Sequence, residues 1–374
     1  MIALTVFAII EARQNTQFTL KAFLNDRSFA GLSLVFIAVV LSGINSADQQ
    51  QWLLQVKLKL PFLILPFAFF VFRPWIDEKL HKWVHYVFIA TAFLSTFDVI
   101  FTFLTDKETI IEGLGKGKSI PTPLDHIHYS IMVAYAVVAS SILAIVVSNN
   151  RKKWALFLTS AYLFAFLHFL SVRTGLALAY AGILLTLIWF VATNKKYLLG
   201  LGVAAFLVAI PFVAYQTVAP FKKKINYMMW DLKQYKKGKG NSYSDSERLM
   251  SYEISFELIK ESPIYGHGIG DLSPIMTERH KEKYGQKDKY IYPHNQYLYI
   301  LTSMGIVGAF FFFYGLFTPL LYSNNRNIFL ATIFVLMLIS FLVENTIQRA
   351  VITGFFLFFI LLNLCLPATK EADH

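Results

Sequence analysis

Charge is what this sequence has least of. Only 15% of its 374 residues are Asp, Glu, Lys or Arg, against about 25% in a water-soluble domain. With 56% hydrophobic residues, that scarcity excludes a soluble enzyme, a coiled coil and a disordered chain. Cysteine is nearly absent. The one cysteine, Cys365, lies inside an apolar run, which excludes a disulfide framework and a four-cysteine zinc site. The alternating period-two pattern of an outer-membrane barrel is missing. So are low-complexity tracts and the inverted repeats of transporters. Met1–Ile10 has no basic n-region and no small-residue cleavage site, so it does not read as a signal peptide.

What is there in quantity is apolar and aromatic: 36 Phe and 19 Tyr in a chain of net charge +11. In so apolar a chain, the positive excess points to the basic loops that orient membrane helices rather than to nucleic acid. The expected fold is an all-α polytopic membrane protein with about eleven transmembrane helices, each needing about 20 apolar residues. The candidates are Phe29–Ile44, Leu58–Phe72, Trp83–Leu104, Ile127–Ser148, Trp154–Leu170, Gly175–Thr193, Leu198–Val218, Tyr297–Tyr322, Ile328–Val343 and Val351–Leu366. Met1–Ile10 reads as the rear half of one more.

Sidedness follows from the short loops. Asn149-Asn-Arg-Lys-Lys153, Asn194-Lys-Lys196, the loop of Arg13, Lys21 and Arg27, and that of Arg73, Lys79 and Lys82 are basic. They belong to the cytoplasm by the positive-inside rule. The Gln-rich loop Asn45–Val56, the mixed-charge Thr105–Asp125 and the one large hydrophilic segment then lie outside, as does Met1. The chain divides into N-terminal membrane helices (1–219), an external loop (220–292) and C-terminal membrane helices (293–374). Within the loop, Lys222–Lys239 is basic and contains glycine, the pattern of a mobile stretch. Ser246–Glu261 reads as an amphipathic helix, with Leu249, Tyr252, Phe256 and Ile259 at spacings of three and four.

Ionisable residues at a membrane edge need a partner or a function. Arg173, in Ser171-Val-Arg-Thr-Gly175, is either a snorkelling anchor or an inward anion ligand whose planar fork suits phosphate oxygens. His294, in Tyr292-Pro-His-Asn-Gln-Tyr-Leu298, can accept a proton from a hydroxyl, with Asn295 and Tyr297 as polar neighbours. Glu344 and Arg349 bracket the last external turn, as a mutual pair or as site groups. Arg248 opens the amphipathic helix. His126 and His128 start another span, but their spacing is poor for a metal and no third ligand follows. Gly117-Lys-Ser119 lacks the first glycine of a P-loop. Gly266-His-Gly-Ile-Gly270 lacks the strand and helix of a dinucleotide site and reads as a turn returning the loop to the membrane. His81 and His85 enclose Lys82 where a zinc protease has glutamate.

Ordered along the chain, these pieces resemble the bacterial O-antigen ligase and polymerase superfamily, GT-C type membrane glycosyltransferases. The matching motifs are Ser171-Val-Arg-Thr-Gly175, then Arg248-Leu249 with Ser262-Pro-Ile-Tyr-Gly-His-Gly-Ile-Gly270, then His294-Asn-Gln-Tyr-Leu298 with Gly305-Ile-Val-Gly308. The resemblance implies twelve helices in a full-length relative. It also implies a periplasmic active site on the bacterial inner membrane and a glycan donor on undecaprenyl pyrophosphate. Arg173 and Arg248 would hold the pyrophosphate and His294 would be catalytic, with Asn295, Tyr297, His128, Glu344 and Arg349 as supporting candidates. The implied activity is inverting transfer to lipid A–core or another glycan acceptor, with no metal or other cofactor and no nucleic acid. A polymerase or a protein O-oligosaccharyltransferase shares the motifs. A transporter or lipid flippase predicts charge deep in several spans, whereas the polar residues gather at one face.

Overall fold

The computed structural model describes residues 2–237, 244–285, 291–324 and 327–366. They contain no strand and run through α1 (Ile2–Gln14), α2 (Leu20–Asn25), α3 (Arg27–Ala30), α4 (Ser33–Leu41), α5 (Gln49–Lys59), α6 (Pro61–Phe72), α7 (Glu78–Thr105), α8 (Lys107–Gly115) and α9 (His126–Val146). The chain continues through α10 (Asn150–Leu170), α11 (Arg173–Asn194), α12 (Tyr197–Thr217), α13 (Ala219–Lys236), α14 (Ser244–Glu261), α15 (Leu272–Tyr284), α16 (Gln296–Tyr322), α17 (Ile328–Val343) and α18 (Ala350–Leu364). Among the described residues, 8 helical stretches are long and apolar enough to cross a membrane, and α17 and α18 are shorter apolar helices. The protein is an all-α polytopic membrane protein, as its composition predicts.

Two readings change. The second span starts at Gln49, not Leu58. Asp48 caps α5 by accepting the Gln51 N–H, and the glutamines that read as loop are straight-chain residues that lose little freedom in a helix. Lys222–Lys236 is helical, not a mobile stretch, because it belongs to α13, with Pro220 in its first turn. Residues 238 and 239 of that reading lie outside the described residues.

The chain forms two compact units: Met1–His81, Arg248–Leu330 and Phe341–His374 in the first, Lys82–Glu247 and Ala331–Ser340 in the second. In the second, α9 packs on α10 and α11. Lipid supplies no hydrophobic drive for such contacts, so close van der Waals packing must. The sequence provides it with small residues: Ala134, Ala136, Ala139 and Ser140 are all buried on α9. A side chain at Gly175 would put its Cβ 2.8 Å from the Ser130 carbonyl oxygen, so the glycine of the Ser-x-Arg-x-Gly motif permits this approach. Only Gly200 and Ala214 of α12 are buried.

In the first unit, α16 packs on α3 and α4, and α6 on α1 and α18. Phe23 and Phe29 meet Phe70 edge-on. The helix α16 is broken at Gly305, which has φ 61° and ψ −170°, a conformation essentially restricted to glycine. A broken apolar helix must have its backbone groups satisfied by protein. The segment 263–268 does this. His267 N–H donates to Thr302 O (3.0 Å) and Gly268 N–H to Ser303 O (2.8 Å), while Ile306 N–H donates to Pro263 O (2.9 Å). Asn45 Nδ2 donates to Gly266 O (2.7 Å). The glycine-rich turn thus returns the loop to the helix bundle, as the sequence predicts.

Gly305→Ala would place a Cβ 2.3 Å from Ile264 O in a backbone conformation costing about 1–3 kcal/mol. Its melting temperature in detergent should fall measurably. Gly354→Ala, with nothing within 4 Å, should melt like wild type.

Candidate functional site

In the first unit, three segments bring Arg248, His294 and Glu344 together. Arg248 lies on α14. His294 precedes α16, whose start is capped by Asn295 Oδ1 accepting the Leu298 N–H (3.0 Å). Glu344 follows α17. Glu344 Oε1 lies 3.5 Å from His294 Nδ1, longer than a hydrogen bond, and Glu344 Oε2 lies 3.7 Å from Arg248 Nη2. The Asn345 N–H also donates to Glu344 Oε1 (3.3 Å). The carboxylate is 12% exposed and the imidazole 33%. Nδ1 is buried and makes no hydrogen bond, although the ring as a whole is partly exposed.

Burial pushes the Glu344 carboxyl upward, but His294, Arg248 and the Asn345 N–H together outweigh it and hold it below its ordinary value. The backbone around His294 is fixed as well. Tyr252 Oη donates to His294 O (2.9 Å), and Asn295 Nδ2 donates to Leu342 O (3.0 Å). Chemically this is a partly exposed imidazole with one nitrogen facing a carboxylate, an arrangement that can serve general-base chemistry.

The remaining sequence candidates fall as follows. Tyr297 stacks on Phe313, ring centroids 5.4 Å apart. Arg349 occupies the position before α18 without a side-chain cap hydrogen bond; its side chain is exposed, and Glu344 is engaged by Arg248 and His294. His128 belongs to the second unit, buried in the first turn of α9, where Asp125 accepts its backbone N–H (3.4 Å). Arg173 is also in the second unit, at the start of α11, with Nη2 2.7 Å from Asp245 Oδ1. No side chain caps α11. Among the described residues, no group of His, Cys, Asp and Glu could hold a metal ion.

Several residues here carry no sequence signal. Lys59 is fully buried; its Nζ donates to Ile347 O (2.7 Å) and Gln348 Oε1 (2.9 Å), and Gln296 Oε1 accepts the Ile347 N–H (3.1 Å). Both fix the turn that follows Glu344. In the second unit, buried Asp231 accepts the Asp245 N–H (2.8 Å) and the Ser246 hydroxyl, positioning the partner of Arg173. The only hint of Lys59 in the sequence is a lysine just inside an apolar span.

Residues 136–313 match the family model described as O-antigen ligase, a match that supports the O-antigen ligase and polymerase superfamily. Arg173, Arg248 and His294 all lie within the matched segment. No curated protein matches the chain.

Because the Glu344 carboxyl sits below its ordinary value, its stabilisation is present above about pH 4 and is lost as the pH falls through the lowered value. Wild type should therefore melt above Glu344→Gln at neutral pH, and the difference should shrink in acid. For Asp231→Ala, amide exchange at Asp245 should speed up about ten-fold, as expected for one buried hydrogen-bond acceptor lost.

Proposed function

We propose that this protein is an O-antigen ligase-type glycosyltransferase. It moves a glycan from undecaprenyl pyrophosphate to a hydroxyl of lipid A–core, on the periplasmic side of the bacterial inner membrane. The observation that carries the reading is the carboxylate-backed imidazole of His294, in the motif the superfamily shares.

The acceptor hydroxyl gives its proton to Nε2 of His294 as its oxygen attacks the anomeric carbon from the face opposite the leaving group. The bond from that carbon to the pyrophosphate oxygen breaks, and its electron pair leaves with the lipid pyrophosphate. The configuration inverts. Glu344, beside Nδ1, stabilises the imidazolium that forms. Arg173 and Arg248 carry the pyrophosphate, whose negative charge grows as it departs. The donor is already activated, so the proposal needs neither nucleotide nor metal. The aromatic, lipid-facing walls suit the polyprenyl tail, and the basic face of α13 suits an anionic acceptor. A polymerase or a protein O-oligosaccharyltransferase would run the same step on a different hydroxyl, so the product linkage assigns the acceptor.

The test is reconstitution in vesicles with lipid-linked glycan and lipid A–core. His294→Ala should lose about 10²–10⁴ in rate, and Arg173→Ala or Arg248→Ala about 10²–10³, with EDTA having no effect. Full activity in folded His294→Ala would remove the base and with it the mechanism.

A further inference from the structure

Within the second unit, α13 opens with three consecutive lysines that do not behave alike. Lys222 and Lys223 are exposed, whereas Lys224 is half-buried. A lysine at a membrane edge ordinarily extends its ammonium to water. Lys224 instead points inward, its Nζ 2.9 Å from Gly117 O and 3.5 Å from Ser119 Oγ. Its Coulombic neighbours are Arg173 and Asp245. Burial first, then repulsion from Arg173, push its ammonium down to about 8, with Asp245 pulling the other way. It remains largely charged at neutral pH.

Arg173 and Asp245 thus both act on the Lys224 charge, and Asp245 already pairs with Arg173 at 2.7 Å. The cluster sits at the first turn of α11, where no side chain caps the helix and the dipole also favours an anion. Bringing like charges together in a half-buried place is unfavourable for the free protein. A bound anion of two or more charges reverses the sign of that energy.

We propose that Lys224 is a further cation for the donor's pyrophosphate, acting beside Arg173. This rests on the reading of Arg173 as a pyrophosphate ligand. The two glycine-loop contacts to Gly117 and Ser119 hold the ammonium in place, and a Lys-phosphate contact needs only a point charge within reach. The basic stretch on α13 then has two roles. Lys222 and Lys223 face solvent, and Lys224 belongs to the donor.

The test is binding of undecaprenyl pyrophosphate to the full chain in lipid nanodiscs, with the melting temperature of each variant as a folding control. Lys224→Met should weaken binding about ten-fold and raise the donor KM. Lys224→Arg, which keeps charge and reach, should retain binding within about three-fold of wild type. Lys223→Met should change it less than about two-fold, as for an exposed charge. Wild-type binding by Lys224→Met, or an equal loss in Lys223→Met, overturns the proposal. If Arg173→Ala loses binding while Lys224→Met does not, only the role of Lys224 fails. If Arg173→Ala also binds like wild type, the underlying reading of the donor site fails with it.

Discussion

The Glu344 carboxylate is the element on which the first unit's chemistry depends. A carboxylate only 12% exposed would ordinarily take up a proton rather than stay charged. It stays ionised because a guanidinium and an imidazole flank it and a backbone N–H points at it. That requirement reaches outward. Arg248 must come from α14, His294 from the entry to α16 and the carboxylate from the turn after α17, so a single charge ties three distant stretches of sequence. Lys59 and Gln296 act on the same turn from behind, by holding Ile347.

The glycine-rich turn serves the same arrangement from the other side. The helix that begins just after His294 does not run unbroken; at Gly305 its backbone opens, and the segment 263–268 fills the opening with hydrogen bonds. Asp271 then accepts the N–H groups of Ala47 and Asp48 (2.6 and 2.7 Å). The stretch Gln296–Met304 is therefore anchored at both ends, by the Asn295 cap and by this clasp. On the proposed mechanism, His294 must keep its orientation while substrate arrives, and orientation is what such anchoring supplies. The motif Pro-x-x-Gly-x-Gly-x-Gly is thus structural: its glycines let one backbone approach another.

Much of this was legible in the sequence for one physical reason. A membrane span must be apolar over its whole length, so spans announce themselves, and the structure places a helix on each stretch expected to cross. His294 and Arg173 were legible as candidates because each breaks that rule at a membrane edge, whereas Arg248 was legible only through the family resemblance. Lys59 was not, since it lies where a glutamine-rich stretch joins an apolar one and its partners sit almost three hundred positions away. The choice Glu344 makes between Arg349 and Arg248 was equally hidden. Proximity in sequence favoured Arg349, and only the fold brings Arg248 within reach. In α13, the run of lysines masked a helix because charge alone does not oppose helix formation when the lysine side chains are straight.

The second unit poses the complementary electrostatic problem. Glu344 is an anion that finds its cations within the protein; Arg173 is a cation at a helix start, where the dipole disfavours it. Asp245 offsets that cost, and Asp231 holds Asp245 in place through its backbone N–H. Yet the offset is partial. A guanidinium has five N–H donors, Asp245 takes one edge of it, and the Arg173 side chain remains 39% exposed while Asp245 is 12% exposed. The carboxylate is thus the buried, fixed member and the guanidinium the presented one. That asymmetry suits the proposed role of Arg173, in which the guanidinium meets an incoming phosphate.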